Sequence, residues 1–302
     1  WRVIVNYPWI ILGLYASVIG LLTVTLFFAP VIRHSRSWLV IGNWQLQPSE
    51  LVKIVLIIIL AYFFARHHIG IAHFKNLAQS FIYFLIPGLL IFLQPDWGSA
   101  LILLGLWIGF LLVSGIQWRH LGLGLIILFF FGILSWNFFL QDYQKERIIG
   151  FLEPGYDTLG INYSAIQARI AIGSAGFLGK GFEQGTQTQL GFLPEPATDF
   201  IFAAFIEEWG FIGGLLVVTT FLFLILRIIK IGLASENNFS KLTCLGAAIL
   251  FLLEFIANVG SNLGLLPVIG ITFPFFSYGG SSLLTKAMLI GIIQSIAVRN
   301  KF

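Results

Sequence analysis

Charge is what this sequence has least of. Only 10% of its 302 residues are Asp, Glu, Lys or Arg, and 58% are hydrophobic, whereas soluble domains run at about a quarter charged. With a mean hydropathy of +0.94, a water-solvated fold around one apolar core is excluded. Cysteine is nearly missing too. Cys244 stands alone inside an apolar stretch, so no intrachain disulfide can form. The 17 Lys and Arg residues give a net charge of only +4 and are scattered, which speaks against a nucleic-acid footprint. No His or Cys spacing resembles a zinc site, and His67, His68 and His73 fall in a loop where solvated histidines are ordinary. The segment Ser174-Ala-Gly-Phe-Leu-Gly-Lys-Gly181 misses the phosphate-loop pattern at both ends, and no strand precedes it. No internal repeat stands out, and the halves cannot be paired as in inverted-repeat transporters. No cleavage pattern follows the first apolar run. The chain begins with Trp1 rather than Met, as a fragment would.

What is present is a series of apolar runs. A helix needs about 17–25 apolar residues to cross the hydrocarbon core. Eight spans are expected, at 8–29, 49–65, 79–94, 96–114, 120–138, 199–227, 243–264 and 275–298. They are apolar on every face, whereas barrel strands would alternate in pieces of about ten residues. The expected class is an all-α polytopic membrane protein forming a single domain over 1–302. Pro8 and Pro30 bracket the first span, and Ser49 and Asp96 are placed to cap the second and fourth. Seven tryptophans, at 9, 38, 44, 97, 118, 136 and 209, fall near span ends as interfacial anchors do.

Lys and Arg gather on the cytoplasmic side of short loops. One side holds Arg2, Arg66, Lys75, Arg119, Arg227, Lys230, Lys241, Arg299 and Lys301, and the other only Arg33 and Arg36. Both termini of this chain are therefore expected inside, with segment 139–198 outside. A connection of that length calls for a function.

Within it, Lys145, Arg147, Arg169 and Lys180 are cations beside Gln187, Thr198 and Asp199. The plain reading of Thr198 and Asp199 is an N-cap for the next helix. The functional reading is a carboxylate at a cavity rim, acting as general base or metal ligand toward an anionic leaving group. Glu50 and Lys53, three residues apart, share a helix face and can pair. They open either an ordinary helix start or a polar cavity. Glu254 lies four residues before Asn258 on one face. Lys286 sits mid-span in the following helix, and pairing between Glu254 and Lys286 is expected because unpaired charge in lipid is strongly disfavoured. Gly, Pro and Ser from Leu263 to Ser282 suggest bent backbone lining a cavity.

Taken in order, Arg36-Ser-Trp-Leu, Gln47-Pro-Ser-Glu, Gln94-Pro-Asp-Trp-Gly, Gly179-Lys-Gly, Gly185-Thr-Gln-Thr-Gln, Phe192-Leu-Pro-Glu, Thr198-Asp-Phe-Ile-Phe and Phe276-Ser-Tyr-Gly-Gly-Ser-Ser resemble the SEDS family of shape, elongation, division and sporulation proteins. The match spans nearly the whole chain, and the Gly-Thr-Gln-x-Gln version of the loop looks like the RodA branch more than the FtsW branch. The resemblance implies a peptidoglycan glycosyltransferase that polymerises lipid II at the outer face of the bacterial plasma membrane, with a class B penicillin-binding protein as partner. It implies that Asp199 is the catalytic residue. Lys145, Arg147, Arg169, Lys180, Gln187 and Thr198 would then bind substrate and its pyrophosphate. Arg36, Glu50, Lys53, Asp96, Asn258, Ser277 and Tyr278 would line the membrane cavity, and a divalent cation, Mg or Mn, would act beside Asp199. The family has ten spans, and the motif order implies that this chain lacks the first two. Where relatives read Pro-Glu-Arg-His-Thr-Asp, this chain reads Pro-Glu-Pro-Ala-Thr-Asp, so the cation after Glu195 is missing. Two other functions compete: a flippase for the lipid-linked precursor, and a non-catalytic scaffold for the crosslinking partner. The polar cluster lies on one side of the membrane rather than at midplane, where transport sites usually lie. That favours the enzyme.

Overall fold

The computed structural model describes residues 7–32, 35–42, 44–67, 74–153, 155–157, 160 and 162–299. Arg2, Arg33, His68, His73 and Lys301 lie outside the described residues. The helices are α1 (Pro8–Phe28), α2 (Pro48–His67), α3 (Phe74–Leu93), α4 (Trp97–Val113), α5 (Trp118–Phe138), α6 (Asp142–Leu152), α7 (Tyr163–Ser174), α8 (Thr186–Gln189), α9 (Ile201–Leu233), α10 (Asn238–Asn262) and α11 (Gly280–Arg299). Among the described residues seven helices are long and apolar enough to cross a membrane, and α4, at 17 residues, is shorter but equally apolar. These eight match the expected spans, apart from the start of the last and a break inside the sixth. The last helix begins at Gly280, not at 275, because Phe275 takes a positive φ of 65° that an α-helix cannot contain. A hairpin, β1 (Leu39–Ile41) with β2 (Trp44–Leu46), pairs Leu39 with Leu46 antiparallel in a loop where no strand was expected.

Two compact units result. One comprises Trp1–Gly115, Leu222–Glu254 and Tyr278–Phe302, and the other Ile116–Phe221 and Phe255–Ser277.

In the first unit α2 is the centre, buried almost all round by α1, α3, α4 and α11. That is why its sequence is apolar on every face. Two cations and two carboxylates are buried here together. Lys53 Nζ lies 2.6 Å from Glu50 Oε1 and 2.7 Å from Glu254 Oε1. Lys286 Nζ lies 3.3 Å from Glu254 Oε2 and 3.5 Å from Glu50 Oε2, and also donates to Ser282 Oγ. The expected pairings of Glu50 with Lys53 and of Glu254 with Lys286 are both present, fused into one neutral ring. Ser49 does not cap α2, which starts at Pro48. Proline suits a first helical position, and the Ser49 hydroxyl turns instead to Asp96 Oδ2 at 3.4 Å. Asp96 caps α4 as expected, accepting from Ser99 N–H at 3.2 Å.

In the second unit the long polar segment 139–198 is not structureless, since α6, α7 and α8 lie in it. Its core is Ala168 and Ala171 of α7 against Leu193, Phe200, Ala203 and Ala204, with Val268 packed on them. The span expected at 199–227 is interrupted. Gly210 takes φ 72°, ψ −174°, which breaks the ladder inside α9. The freed groups are paired by residues 176–181. Lys180 and Gly181 N–H donate to the carbonyls of Glu207 and Glu208 at 3.0 Å, while Phe211 and Ile212 N–H donate to Gly176 and Phe177 at 3.0 and 3.2 Å. Irregular backbone at a span is tolerated only when so satisfied. A Cβ on Gly210 would lie 2.3 Å from Gly179 N, so the crossing requires glycine.

Candidate active site

Asp199 is half-buried, two residues before the regular start of α9. Neither Thr198 nor Asp199 therefore occupies the N-cap position expected of them. The Thr198 hydroxyl turns back to Glu195 Oε2 at 3.2 Å. What fixes Asp199 is its main chain. Its carbonyl accepts from Asn258 Nδ2 at 3.0 Å and from Asn262 Nδ2 at 2.9 Å. Asn258 is almost fully buried and donates also to the Ile271 carbonyl at 2.8 Å. Next door the Ser277 hydroxyl donates to the Thr198 carbonyl at 2.6 Å and accepts from Phe273 N–H at 2.8 Å. On the carboxylate side, a Cβ placed on Gly270 would lie 3.9 Å from Asp199 Oδ2, so this wall is bare backbone at φ 71°.

The same strap, residues 264–270, runs on to a cleft lined by Arg147, Gly150, Phe151, Asn162, Ala165, Arg169, Leu266 and Val268. Arg147 Nη1 donates to the Val268 carbonyl at 3.2 Å. A Cβ on Gly264 would lie 3.0 Å from Arg169 Cδ. Val268 and Gly270 are two residues apart, so Arg147 and the Asp199 carboxylate meet neighbouring positions of one strap, while Arg169 meets it at Gly264, six residues before Gly270. Among the described residues neither arginine forms an ion pair with a carboxylate, which leaves both positive charges available to an anion.

Lys180 differs from the arginines. Its Nζ lies 2.7 Å from Glu207 Oε1 and donates to the Thr186 hydroxyl at 2.7 Å. Glu207, fully buried, also accepts from Gln187 N–H (2.8 Å), Thr188 N–H (3.1 Å) and the Thr188 hydroxyl (2.9 Å). This carboxylate thereby shapes the Gly185-Thr-Gln-Thr-Gln turn, and it takes up the charge of Lys180.

The model of the cell cycle protein family that groups FtsW, RodA and SpoVE matches residues 5–302. The chain belongs to this family. The peptidoglycan glycosyltransferase MrdB of Escherichia coli K12 is 37% identical over 290 residues, which cover 95% of this chain and 78% of that protein. Among solved structures, a chain of a peptidoglycan synthase complex that coordinates polymerization and crosslinking is similar with a TM-score of 0.81 at 32% identity, over 99% of this chain and 83% of that one. The rod shape determining protein RodA of Thermus thermophilus is similar with a TM-score of 0.67 at 28% identity, over 95% and 77%.

In this FtsW/RodA/SpoVE chain the candidate residues divide between the two units. The second unit holds Asp199, Thr198, Asn258 and Ser277 on one main-chain clasp, Arg147 and Arg169 on one cleft, and Lys180 and Gln187 around Glu207. Lys145, two residues before Arg147, is half-buried on another face of α6. The first unit holds the buried Glu50 and Lys53, Asp96 accepting from Gln47 Nε2 at 3.2 Å, the exposed Arg36, whose N–H donates to the Gln94 carbonyl, and the exposed Tyr278. Sequence reasoning missed Asn262 and Glu207. The signal for Asn262 was its spacing of four from Asn258, which puts two amides on one face of an apolar helix.

Proposed function

We infer that this chain is a peptidoglycan glycosyltransferase that polymerises lipid II into glycan strands during cell elongation and shape maintenance. The observation that carries this reading is Asp199: a half-buried carboxylate on a rigidly held main chain, at the junction of the long polar segment with a membrane-spanning helix. In the reaction the acceptor sugar hydroxyl loses its proton to Asp199 as its oxygen bonds to the anomeric carbon of the donor. The bond from that carbon to phosphate breaks, and the lipid diphosphate leaves with the electron pair. Charge developing on a leaving group is where preorganised cations contribute most. Arg147 and Arg169 are suited to this by position, with Lys145 nearby. Lys180, neutralised by Glu207, contributes mainly by holding the loop. The Gln187 Oε1 atom is buried without a hydrogen-bond partner among the described residues, an acceptor suited to a substrate hydroxyl, with Thr198 beside Asp199.

Among the described residues no three His, Cys, Asp or Glu cluster as a metal site. A Mg or Mn ion would fit here with Asp199 as its protein ligand and with water and substrate phosphate completing its shell, as Mg²⁺ commonly binds. It would supply charge neutralisation at the phosphates.

The excess of Lys and Arg at one set of span ends supports cytoplasmic termini for this chain and an outer position for 139–198, at the outer face of the plasma membrane. A class B penicillin-binding protein is the partner proposed to crosslink the product.

Purified protein in detergent with lipid II and a divalent cation is expected to make glycan strands. Asp199→Asn is expected to abolish them while leaving the protein inserted and partner-bound. Retained polymerisation would overturn the role of Asp199, and absence of polymer from the unaltered chain would favour a flippase or scaffold.

A further inference from the structure

Asn262 closes α10 completely buried, and its amide does something other than cap a helix. Nδ2 donates to the Asp199 carbonyl at 2.9 Å, and Oδ1 accepts from the Ala203 N–H at 3.0 Å. In a continuous α-helix those two main-chain groups, four residues apart, bond to each other. The side-chain amide therefore stands in the place of one rung of the ladder. The following rung is ordinary, with Ala204 N–H bonded to the Phe200 carbonyl at 3.0 Å. The carbonyl before it, that of Thr198, is taken by Ser277 Oγ at 2.6 Å, and Asn258 Nδ2 gives the Asp199 carbonyl a second donor at 3.0 Å. Three side chains, all from 258–277, thus hold two consecutive carbonyls away from the helix that follows.

A simple cap satisfies free N–H groups at a helix start and leaves the carbonyls alone. Here a carbonyl the helix would otherwise use is satisfied from outside. Buried main-chain groups are almost always paired, so a wound and an unwound start compete. The amide favours the unwound start because it offers a donor and an acceptor at the spacing of the opened rung.

We propose that Asn262 is a positioning residue whose amide is inserted into the first turn of α9 and keeps Asp199 unwound. The Asp199 carboxylate is thereby held over the bare Gly270 wall instead of being carried round the helix. The catalytic consequence rests on the reading of Asp199 as proton acceptor, while the structural one does not.

Asn262→Leu keeps the branched side-chain skeleton, with slightly more bulk, and removes both bonds. The Ala203 N–H and Asp199 carbonyl are then left to pair with each other, α9 winds back through Asp199, and the carboxylate is displaced. Displacement of a reacting group by about 1 Å can cost on the order of 100-fold in rate. In a lipid II polymerisation assay kcat is expected to fall by about that factor, with KM changed less than about twofold because the substrate-binding arginines are untouched. A cryo-EM structure of the variant is expected to show the direct Ala203-to-Asp199 hydrogen bond. An unchanged kcat, or an unwound Asp199 in that structure, would overturn the proposal. Should the leucine variant not fold, Asn262→Asp retains the acceptor for Ala203 and loses the donor to Asp199 at equal volume. It too is expected to lower kcat more than it raises KM, and wild-type kcat in a folded Asn262→Asp protein would overturn the proposal. If Asp199→Asn polymerises normally, the reading of Asp199 fails, and the structure of Asn262→Leu still decides whether the amide holds the turn open.

Discussion

Lys180 Nζ lies 2.7 Å from Glu207 Oε1, and this ion pair fastens the long polar segment to α9 just before the helix breaks at Gly210. The two partners are unequal, since Glu207 is fully buried while the Lys180 side chain is 22% exposed. Removing the carboxylate strands the ammonium, two N–H groups and two hydroxyls. Removing the lysine leaves the carboxylate four other donors. Glu207→Ala is therefore expected to destabilise by about 3 kcal/mol and Lys180→Met by about 1 kcal/mol. Thermal unfolding in detergent checks the order, and equal shifts would contradict it. Hydrogen exchange should rise at Thr186–Gln189 in the glutamate variant first.

The buried ring of Glu50, Lys53, Glu254 and Lys286 makes a second ordering. Lys53 contacts both carboxylates at 2.6 and 2.7 Å, and Lys286 contacts the same two at 3.5 and 3.3 Å. Lys53→Met should cost about 3–5 kcal/mol, as breaking a buried pair does, and Lys286→Met less. A combined Lys53→Met/Glu254→Gln protein should lose less than the sum of the single changes. Additivity in unfolding measurements would show that the ring is not coupled.

Arg147 and Arg169 share one cleft without carboxylate partners among the described residues. Replacing either with Gln should lower kcat/KM for lipid II by about 10- to 100-fold, each charged hydrogen bond being worth about 1.5–3 kcal/mol. Lys180→Gln should lower it less, because that charge is already spent on Glu207. A larger effect at Lys180 than at the arginines in the same assay would reverse the assignment of the leaving-group site.

Gly270→Ala should reduce turnover several-fold while leaving insertion intact. The added Cβ meets Asp199 Oδ2 at 3.9 Å, which is contact and not a clash. The strain comes instead from φ 71°, roughly 1–2 kcal/mol for a residue with a Cβ. Gly210→Ala is the contrast: its Cβ would sit 2.3 Å from Gly179 N, so loss of folded protein is expected, read from expression and size-exclusion profile.

The sequence revealed whatever follows from composition and local spacing. The eight apolar helices were legible because lipid demands length and hydrophobicity in one continuous run. So were the pairings Glu50–Lys53 and Glu254–Lys286, because buried charge must find its opposite. The interruption at Gly210 was hidden, since glycine is ordinary in membrane helices and only the arrival of residues 176–181 beside it makes it a break. Ser49, Thr198 and Asp199 were expected to cap helices by residue type. Tertiary partners claimed Ser49 and the Thr198 and Asp199 carbonyls instead: Asp96 took the first, and Ser277, Asn258 and Asn262 took the other two. Asn262 offered only its spacing of four from Asn258, and the rung it replaces is created by the fold.

The stitching of Gly176–Gly181 to Glu207–Ile212 also defines what can be exchanged between relatives. A transplant of the long polar segment cut just before α9, near residue 198, would separate donors from acceptors that complete one another across the Gly210 interruption. The transferable module instead runs through Ile212, and hybrids joined after that residue should be the ones that assemble.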